Sequence, residues 1–472
     1  MRHSSHWNSG TALTRRDLLK QSSVGFGSLA LASLLAEESK AENRQDLSIQ
    51  APHFAPKAKR VIFLFMHGGP SQVDTFDYKP QLIKDDNKPV PFAKPRVVSA
   101  ETFNLLKSPF RFRQYGESGA WVSDIFPHVA KHVDELTMVH SIHGSNSRHG
   151  AALLEMHTGS DTFVRPSLGS WLNYGLGTEN QNLPGYVTIC PSLTHGGSNN
   201  WTSAFLPAVY AGTPIGHANM ASKDAKIPFI QGTTAEDRQR MELDLLNQMN
   251  RERLSLTGPD SELESRIQSF ELAFRLQREA PLVQDISDES DHTLSMYGVD
   301  QDVTRDFGLQ CLMARRFAER GVRFVQLSHS YKWDQHGNLT KGHSGNGREV
   351  DQPISALLTD LRERGLLEDT LVWWGGEFGR TPVSQSGRDG RDHNPHAMTM
   401  WFCGGGMKPG IRYGETDEYG YYAIQDKVHF HDLHATILHQ LGLDHERLTY
   451  RYAGRDFRLT DVHGEVVHDI LA

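Results

Sequence analysis

Val61-Ile62-Phe63-Leu64-Phe65-Met66-His67-Gly68-Gly69-Pro70 is the stretch on which the fold turns. Its first six residues form an unbroken apolar run, which predicts a strand buried on both faces of a parallel sheet. His67-Gly68-Gly69-Pro70 then makes a turn that permits close backbone approach to a ligand. Open α/β sheets bind ligands beyond the carboxyl ends of their strands, so this turn is a first candidate site.

Downstream the theme recurs twice. A helix predicted over about 303–320 leads into Val322-Arg323-Phe324-Val325-Gln326-Leu327, and another over about 350–364 leads into Thr370-Leu371-Val372-Trp373-Trp374. Such alternation predicts an α/β fold with a mostly parallel central sheet and helices on both faces. A further helix, about 433–441, follows His429 and His431 and stops at Gly442. Between about 225 and 295 the chain turns highly charged, with Leu, Met and Phe at helical spacing, and reads as a helical insertion with solvated faces.

Upstream lies an export address. Thr14-Arg15-Arg16-Asp17-Leu18-Leu19-Lys20 matches the twin-arginine pattern, Val24 to Ala36 supplies an apolar region, and Ser39-Lys40-Ala41 offers small residues for cleavage. That region spans 13 residues, against the roughly 20 that a membrane-spanning helix needs. Residues 1–41 are therefore expected to be a signal peptide, 42–58 a linker, and 59–472 one α/β domain carrying the insertion. The expected location is the periplasm or the exterior, with the twin-arginine translocase as export partner and no stable membrane span after cleavage.

The formal net charge of -8, with Lys and Arg interspersed, provides no basic stripe and argues against nucleic acid as a partner. Three cysteines, none in a CxxC pair, argue against a disulfide framework and a thiolate zinc site. The chain has 25 histidines, and imidazole both coordinates metals and shuttles protons near neutral pH.

Three clusters could use them. Asp334, His336 and His343 lie on a Gly-rich stretch after the strand ending at Leu327, where glycines let a loop fold back so that carboxylate and imidazoles converge on one cation. Glu377 and Arg380 follow the next strand, with Asp392, His393 and His396 soon after. Glu377 sits where a strand-end ligand projects, and Arg380 is placed to bind an anion through two parallel hydrogen bonds. In the third, Ser145-Asn146-Ser147-Arg148-His149-Gly150 precedes a short helix closed by Thr158-Gly159. Ser147 there is either a nucleophile or a helix cap, and His149 an acid/base or ligand candidate.

The order of these elements resembles the alkaline phosphatase and sulfatase superfamily over most of residues 60–445. The chain is identified more closely as a member of the family called domain of unknown function 1501, on Gly68-Gly69-Pro70-Ser71, Gly375-Gly376-Glu377-Phe378-Gly379-Arg380 and Gly390-Arg391-Asp392-His393-Asn394-Pro395. The superfamily resemblance implies an alkaline phosphatase-like fold, a metal ligand after the first strand, a nucleophile at a helix head, and Asp and His ligands on later strand ends. His67 stands where the superfamily usually has that first Asp, with Asp74 further along, so either can take the ligand role. Glu377-Phe378 replaces a common Asp-His, which removes one imidazole from a two-metal site. The Cys/Ser-x-Pro-x-Arg signature of formylglycine sulfatases is missing from both Ser145–Arg148 and Cys190–Thr194.

Together these readings imply an exported hydrolase of phosphate or sulfate esters, with a small-molecule or glycan ester as substrate. It would depend on one or two divalent metals, zinc before manganese, iron or calcium. Either Ser147 or a water activated by the metal would attack. The competing expectation is a non-catalytic protein that binds an anionic glycan or cell-envelope polymer on the same fold.

Overall fold

Alternate residues of the first strand face opposite layers of the molecule, which explains its unbroken apolar run. In β1 (Arg60–Phe65) Ile62 and Leu64 join one buried cluster, while Val61, Phe63 and Phe65 join another on the opposite face. This computed structural model describes residues 47–92, 102–227, 235–258, 260–385 and 389–472. The expected signal peptide at 1–41 lies outside them. From Leu47 onward the described residues belong to one compact unit. The stretch 47–58, expected as part of a linker, runs as coil along the body. Gln50 N donates to Leu176 O at 2.9 Å, His53 N to Gly442 O at 2.8 Å and Lys57 N to Gln440 O at 2.9 Å.

The central sheet adds to β1 the strands β2 (Leu136–His143), β3 (Tyr186–Ile189), β4 (Thr213–Ile215), β5 (Phe324–Ser328), β6 (Thr370–Gly375), β7 (Met398–Cys403), β8 (Ile411–Tyr413) and β9 (Val428–His429). Its spatial order is β8-β2-β7-β6-β1-β5-β3-β4, with β9 paired to β2. Only β7 runs antiparallel to its neighbours, so the sheet is mostly parallel, as expected. β1 lies between β5 and β6, which brings the ends of the three strands noted in the sequence side by side.

Among the helices are α1 (His149–Thr158), α2 (Glu236–Thr257), α3 (Ser261–Gln284), α4 (Arg305–Glu319), α5 (Leu339–Glu363) and α6 (Phe430–Gln440). The α4 and α5 side chains fill one layer, and those of α1 and α6 the other. The insertion is helical: α3 buries Leu272, Leu276, Ala280 and Val283, while most of α2 is exposed.

One element departs from expectation. Helix α5 begins at Leu339, so the Gly-rich stretch around His343 is helical rather than a loop. Two of its glycines serve close packing: a Cβ on Gly347 would collide with Ile125, and one on Gly342 would lie 2.6 Å from the Gln335 side chain.

Several histidines are buried in this body away from the strand ends. His434 is fully buried and donates from Nε2 to Met156 O at 2.7 Å, and burial pushes its pKa down to about 3. Burial likewise lowers His140, which bonds Thr399 Oγ1 at 3.1 Å. A folded-state pKa below the unfolded value near 6.5 means stability is fully present above that pH and is lost as pH falls toward the folded value. For His434 alone, the loss between pH 7 and pH 4 should be about 3 kcal/mol. Urea unfolding at the two pH values measures it. His434→Gln, which can still donate to Met156 O, should flatten the dependence by a comparable amount.

Candidate metal centre

The turn after β1 forces the later strand ends together. Gly68 has φ +114, and a Cβ there would lie 2.6 Å from Asp334 N and 2.9 Å from Trp333 backbone atoms, so only glycine lets this segment cross the turn. The same Gly68 donates its N–H to both oxygens of Glu377, at 3.0 and 3.1 Å. Asp334 from beyond β5 and Glu377 from beyond β6 are thus fixed on one glycine.

Around Asp334 three ligating atoms converge. Its Oδ1 lies 3.0 Å from His336 Nε2 and 3.2 Å from His393 Nε2, and the two imidazole nitrogens are 3.0 Å apart. The far side of each ring is tied to the protein. His393 Nδ1 lies 2.7 Å from Ser147 O, and a carbonyl can only accept, so the hydrogen is on Nδ1 and Nε2 carries a lone pair. His336 does the same through Gln385 Oε1 at 2.6 Å. Two lone pairs and a carboxylate oxygen thus face one another. Their separations approach the edge of a tetrahedral site, about 3.3 Å for ligands about 2.05 Å from zinc. Acceptors on the remote nitrogens are the usual support of histidine ligands. The bond to Asp334 raises the His336 pKa, and burial lowers His393 to about 4. Burial works against ionisation of Asp334, but His149, His336, His393 and Arg380 outweigh it and hold the carboxyl far below the usual range.

A second constellation adjoins the first. One ring nitrogen each of His67, His149 and His195 lie within 4.8 Å of one another. His67 is 2% exposed with neither ring nitrogen hydrogen-bonded, and His195 Nδ1 is also unbonded. Burying unsatisfied imidazole nitrogens is costly, and a coordinated cation would relieve it. His149 Nδ1 bonds Glu377 Oε1 at 2.7 Å, and its Nε2 lies 3.4 Å from Asp334 Oδ2. Burial opposes a charge on His149, yet the neighbouring carboxylates of Asp334 and Glu377 push the pKa up to about 9. For Glu377 burial is likewise outweighed, by His149 and His67, and the pKa falls to about 2. Burial brings His67 down to about 4.

Of the residues singled out in the sequence, His67, His149, Asp334, His336, Glu377 and His393 are gathered here. Five others, Asp74, His343, His396, Arg380 and Ser147, do other work. Asp74 is fully buried and bonds Arg391 in two places, Oδ2 to Nε at 2.6 Å and Oδ1 to Nη2 at 3.1 Å. His343 lies on α5, where its Nε2 accepts from Ser71 N at 3.1 Å. His396 rests against the Tyr422 ring at 5.3 Å. Arg380 touches the cluster through Asp334 Oδ1 at 2.7 Å, but it is fully buried and its other donors serve the carbonyls of Gly68, Gly69, Trp333 and Arg391. Full burial among these carbonyls makes Arg380 a brace of the strand ends. Ser147 is not the helix cap, a position held by Arg148. What it gives the cluster is its carbonyl oxygen.

Two contributors were missed. His195 comes from the 190–200 segment at φ +52, its ring stacked on His149 at 4.8 Å. Tyr331, 41% exposed, bonds Asp334 Oδ2 at 3.1 Å and stands against the His67 and His195 rings. Neither belongs to a spaced motif, although a histidine beside Gly196 and Gly197 was a weak signal.

The family model described as "Protein of unknown function (DUF1501)" matches residues 58–471, with the cluster inside it. The chain belongs to the DUF1501 family. Comparison with curated proteins finds no match. Among solved structures, the chain is similar to the PsFucS1 sulfatase from Pseudoalteromonas sp. at 12% identity, covering 94% of this chain and 75% of that one, TM-score 0.39. It is also similar to the lipoteichoic acid synthase LtaP from Listeria monocytogenes at 10% identity, covering 89% and 80%, TM-score 0.36. A third is the alkaline phosphatase of the Antarctic bacterium TAB5, at 10% identity, covering 76% and 94%, TM-score 0.31.

Proposed function

We propose that this DUF1501 protein is a metal-dependent hydrolase of phosphate or sulfate esters that acts outside the cytoplasm. The observation that carries the reading is the mutual approach of Asp334 Oδ1, His336 Nε2 and His393 Nε2 at 3.0 to 3.2 Å with both remote ring nitrogens tied down. Asp334, His336 and His393 would hold one divalent cation, and His67 and His195 with His149 or Glu377 a second; zinc suits the mixture of imidazole and carboxylate. When bound, such a cation polarises an ester and lets a weak nucleophile attack near neutral pH.

The chain's own residues do the rest. Glu377 fixes His149 through Nδ1, so that its other nitrogen faces the cluster and can hold or move a proton. Tyr331 and His195 line the approach. Arg380, buried among carbonyls and bonded to Asp334 Oδ1, would brace the ligand set. One observation favours the alternative of a non-catalytic protein for an anionic glycan: among the described residues, no hydrogen bond joins the Ser147 hydroxyl to the cluster. Among the described residues no helix is long and apolar enough to cross a membrane. The twin-arginine segment supports export, and Arg15→Lys with Arg16→Lys should leave precursor in the cytoplasm.

The test is elemental analysis of protein purified from its exported, folded form, with turnover assays on phosphate and sulfate esters. A stoichiometric transition metal and turnover abolished by a chelator are expected; a folded, metal-free protein sinks the proposal. Ser147→Ala should retain most turnover and all metal, since only the Ser147 carbonyl engages the cluster, through His393.

A further inference from the structure

Helix α2 carries apolar residues on two opposite sides. Asn247 is buried, and Leu243, Asn250 and Leu254 are half-buried, on the side that meets α3. On the other side Met241, Leu245, Met249 and Leu256 are 64%, 60%, 59% and 86% exposed. At 100° per residue these four fall within a sector of about 80°. A single exposed leucine needs no explanation, but a four-residue seam along one helix marks a contact surface.

We propose that this seam pairs with the same seam of a second copy, the two α2 helices lying antiparallel about a two-fold axis through Leu245. In that register Leu245 meets its own counterpart and Met241 faces Met249. Arg238 then faces Glu252 of the second copy, and by symmetry this happens twice. A parallel pairing would instead set Arg238 against Arg238 and Glu252 against Glu252. Within one copy Arg238 bonds Glu242 at 3.1 Å, but both side chains are mostly exposed and such a pair is worth little, so Arg238 is available.

The charges also discriminate between occupants. Glu236, Asp237, Glu242, Asp244 and Glu252 outnumber Arg238, Arg240, Arg251 and Arg253, whereas a helix lying on a membrane presents a basic face. An unrelated protein has no reason to match Arg238 and Glu252 symmetrically about Leu245. A helix of 22 residues is about 33 Å long, so one helix pair makes a small interface and the dimer should dissociate on dilution.

Sedimentation of the full chain over a range of concentrations tests this directly, with a monomer–dimer equilibrium expected. Leu245→Glu puts two carboxylates on the axis and should weaken dimerisation at least about tenfold. Arg238→Glu or Glu252→Arg alone should weaken it, and the two together restore it. Leu245→Cys should cross-link the dimer under mild oxidation, because Cys190, Cys311 and Cys403 are buried. All these positions are exposed, so thermal unfolding should confirm intact folds. A monomer at every concentration overturns the proposal, as does a dimer indifferent to Leu245→Glu. So does a monomer that binds phosphatidylglycerol vesicles through Leu245.

Discussion

Replacing Asp334 with Asn is expected to leave a folded protein that no longer holds a stoichiometric transition metal. Asp334 Oδ1 is where His336 Nε2, His393 Nε2 and Arg380 Nη2 meet, at 3.0, 3.2 and 2.7 Å. An amide keeps the shape but removes the charge, and it turns one of two acceptor oxygens into a donor. Metal affinity should fall by more than the roughly 10- to 100-fold that removal of a supporting partner produces. Gln385→Ala supplies that comparison, since Gln385 only holds the remote nitrogen of His336. Zinc should stabilise the parent protein by about 4 kcal/mol at a thousandfold excess over Kd and leave Asp334→Asn unmoved. Thermal shifts with and without zinc, and metal content after dialysis, read the difference. Because Asp334 also faces the buried Arg380, His336→Ala is the companion variant: its side chain is 31% exposed and its loss strains nothing in the core. Full zinc occupancy in both variants would falsify the ligand assignment.

How far the sequence went can be seen residue by residue. Two-face burial of a strand leaves an unmistakable mark in Val61 to Met66, and β1 is found within one residue of that run. Strand-end placement made Asp334 and Glu377 legible as well, because parallel strands flanking β1 must end at the same edge. What stayed hidden depends on direction rather than position. Arg380 sits where an anion binder would, but its donors turn inward to four carbonyls, and nothing in a one-dimensional string says which way a guanidinium faces. Glycines near His343 permit two opposite outcomes, a loose loop or a tightly packed helix, and the buried Ile125 that decides between them lies more than 200 residues away in sequence. His195 and Tyr331 reach the site from positive-φ loop positions that no periodicity announces.

Arg391→Met should destabilise the protein more than any ligand substitution, while leaving metal bound per folded molecule unchanged. Asp74 and Arg391 are both fully buried and share two hydrogen bonds, at 2.6 and 3.1 Å. Asp74 also accepts from Ser71 Oγ at 2.5 Å, and Arg391 donates to Leu106 O at 3.0 Å and Thr381 O at 3.3 Å. The pair therefore ties the turn after β1 to the segments around 106, 381 and 391. Burial by itself would raise the Asp74 pKa, and Arg391 more than reverses this, so the carboxyl is ionised in the folded protein. Removing the guanidinium strands that charge in the interior, at a cost of about 3 to 5 kcal/mol. Against a domain stability of about 5 to 15 kcal/mol this is a large fraction. Asp74→Asn combined with Arg391→Met should cost less than the two single changes summed, since neither charge is then left alone. Urea unfolding gives the energies, and metal analysis of the folded fraction gives the second readout. A ligand role for Asp74 predicts the reverse pattern, in which Asp74→Asn empties the site while Arg391→Met, if it folds, keeps its metal only where Asp74 can still reach it. Equal metal occupancy in Asp74→Asn and the parent protein would therefore assign Asp74 to the frame that holds the turn, and leave coordination to Asp334, His336 and His393.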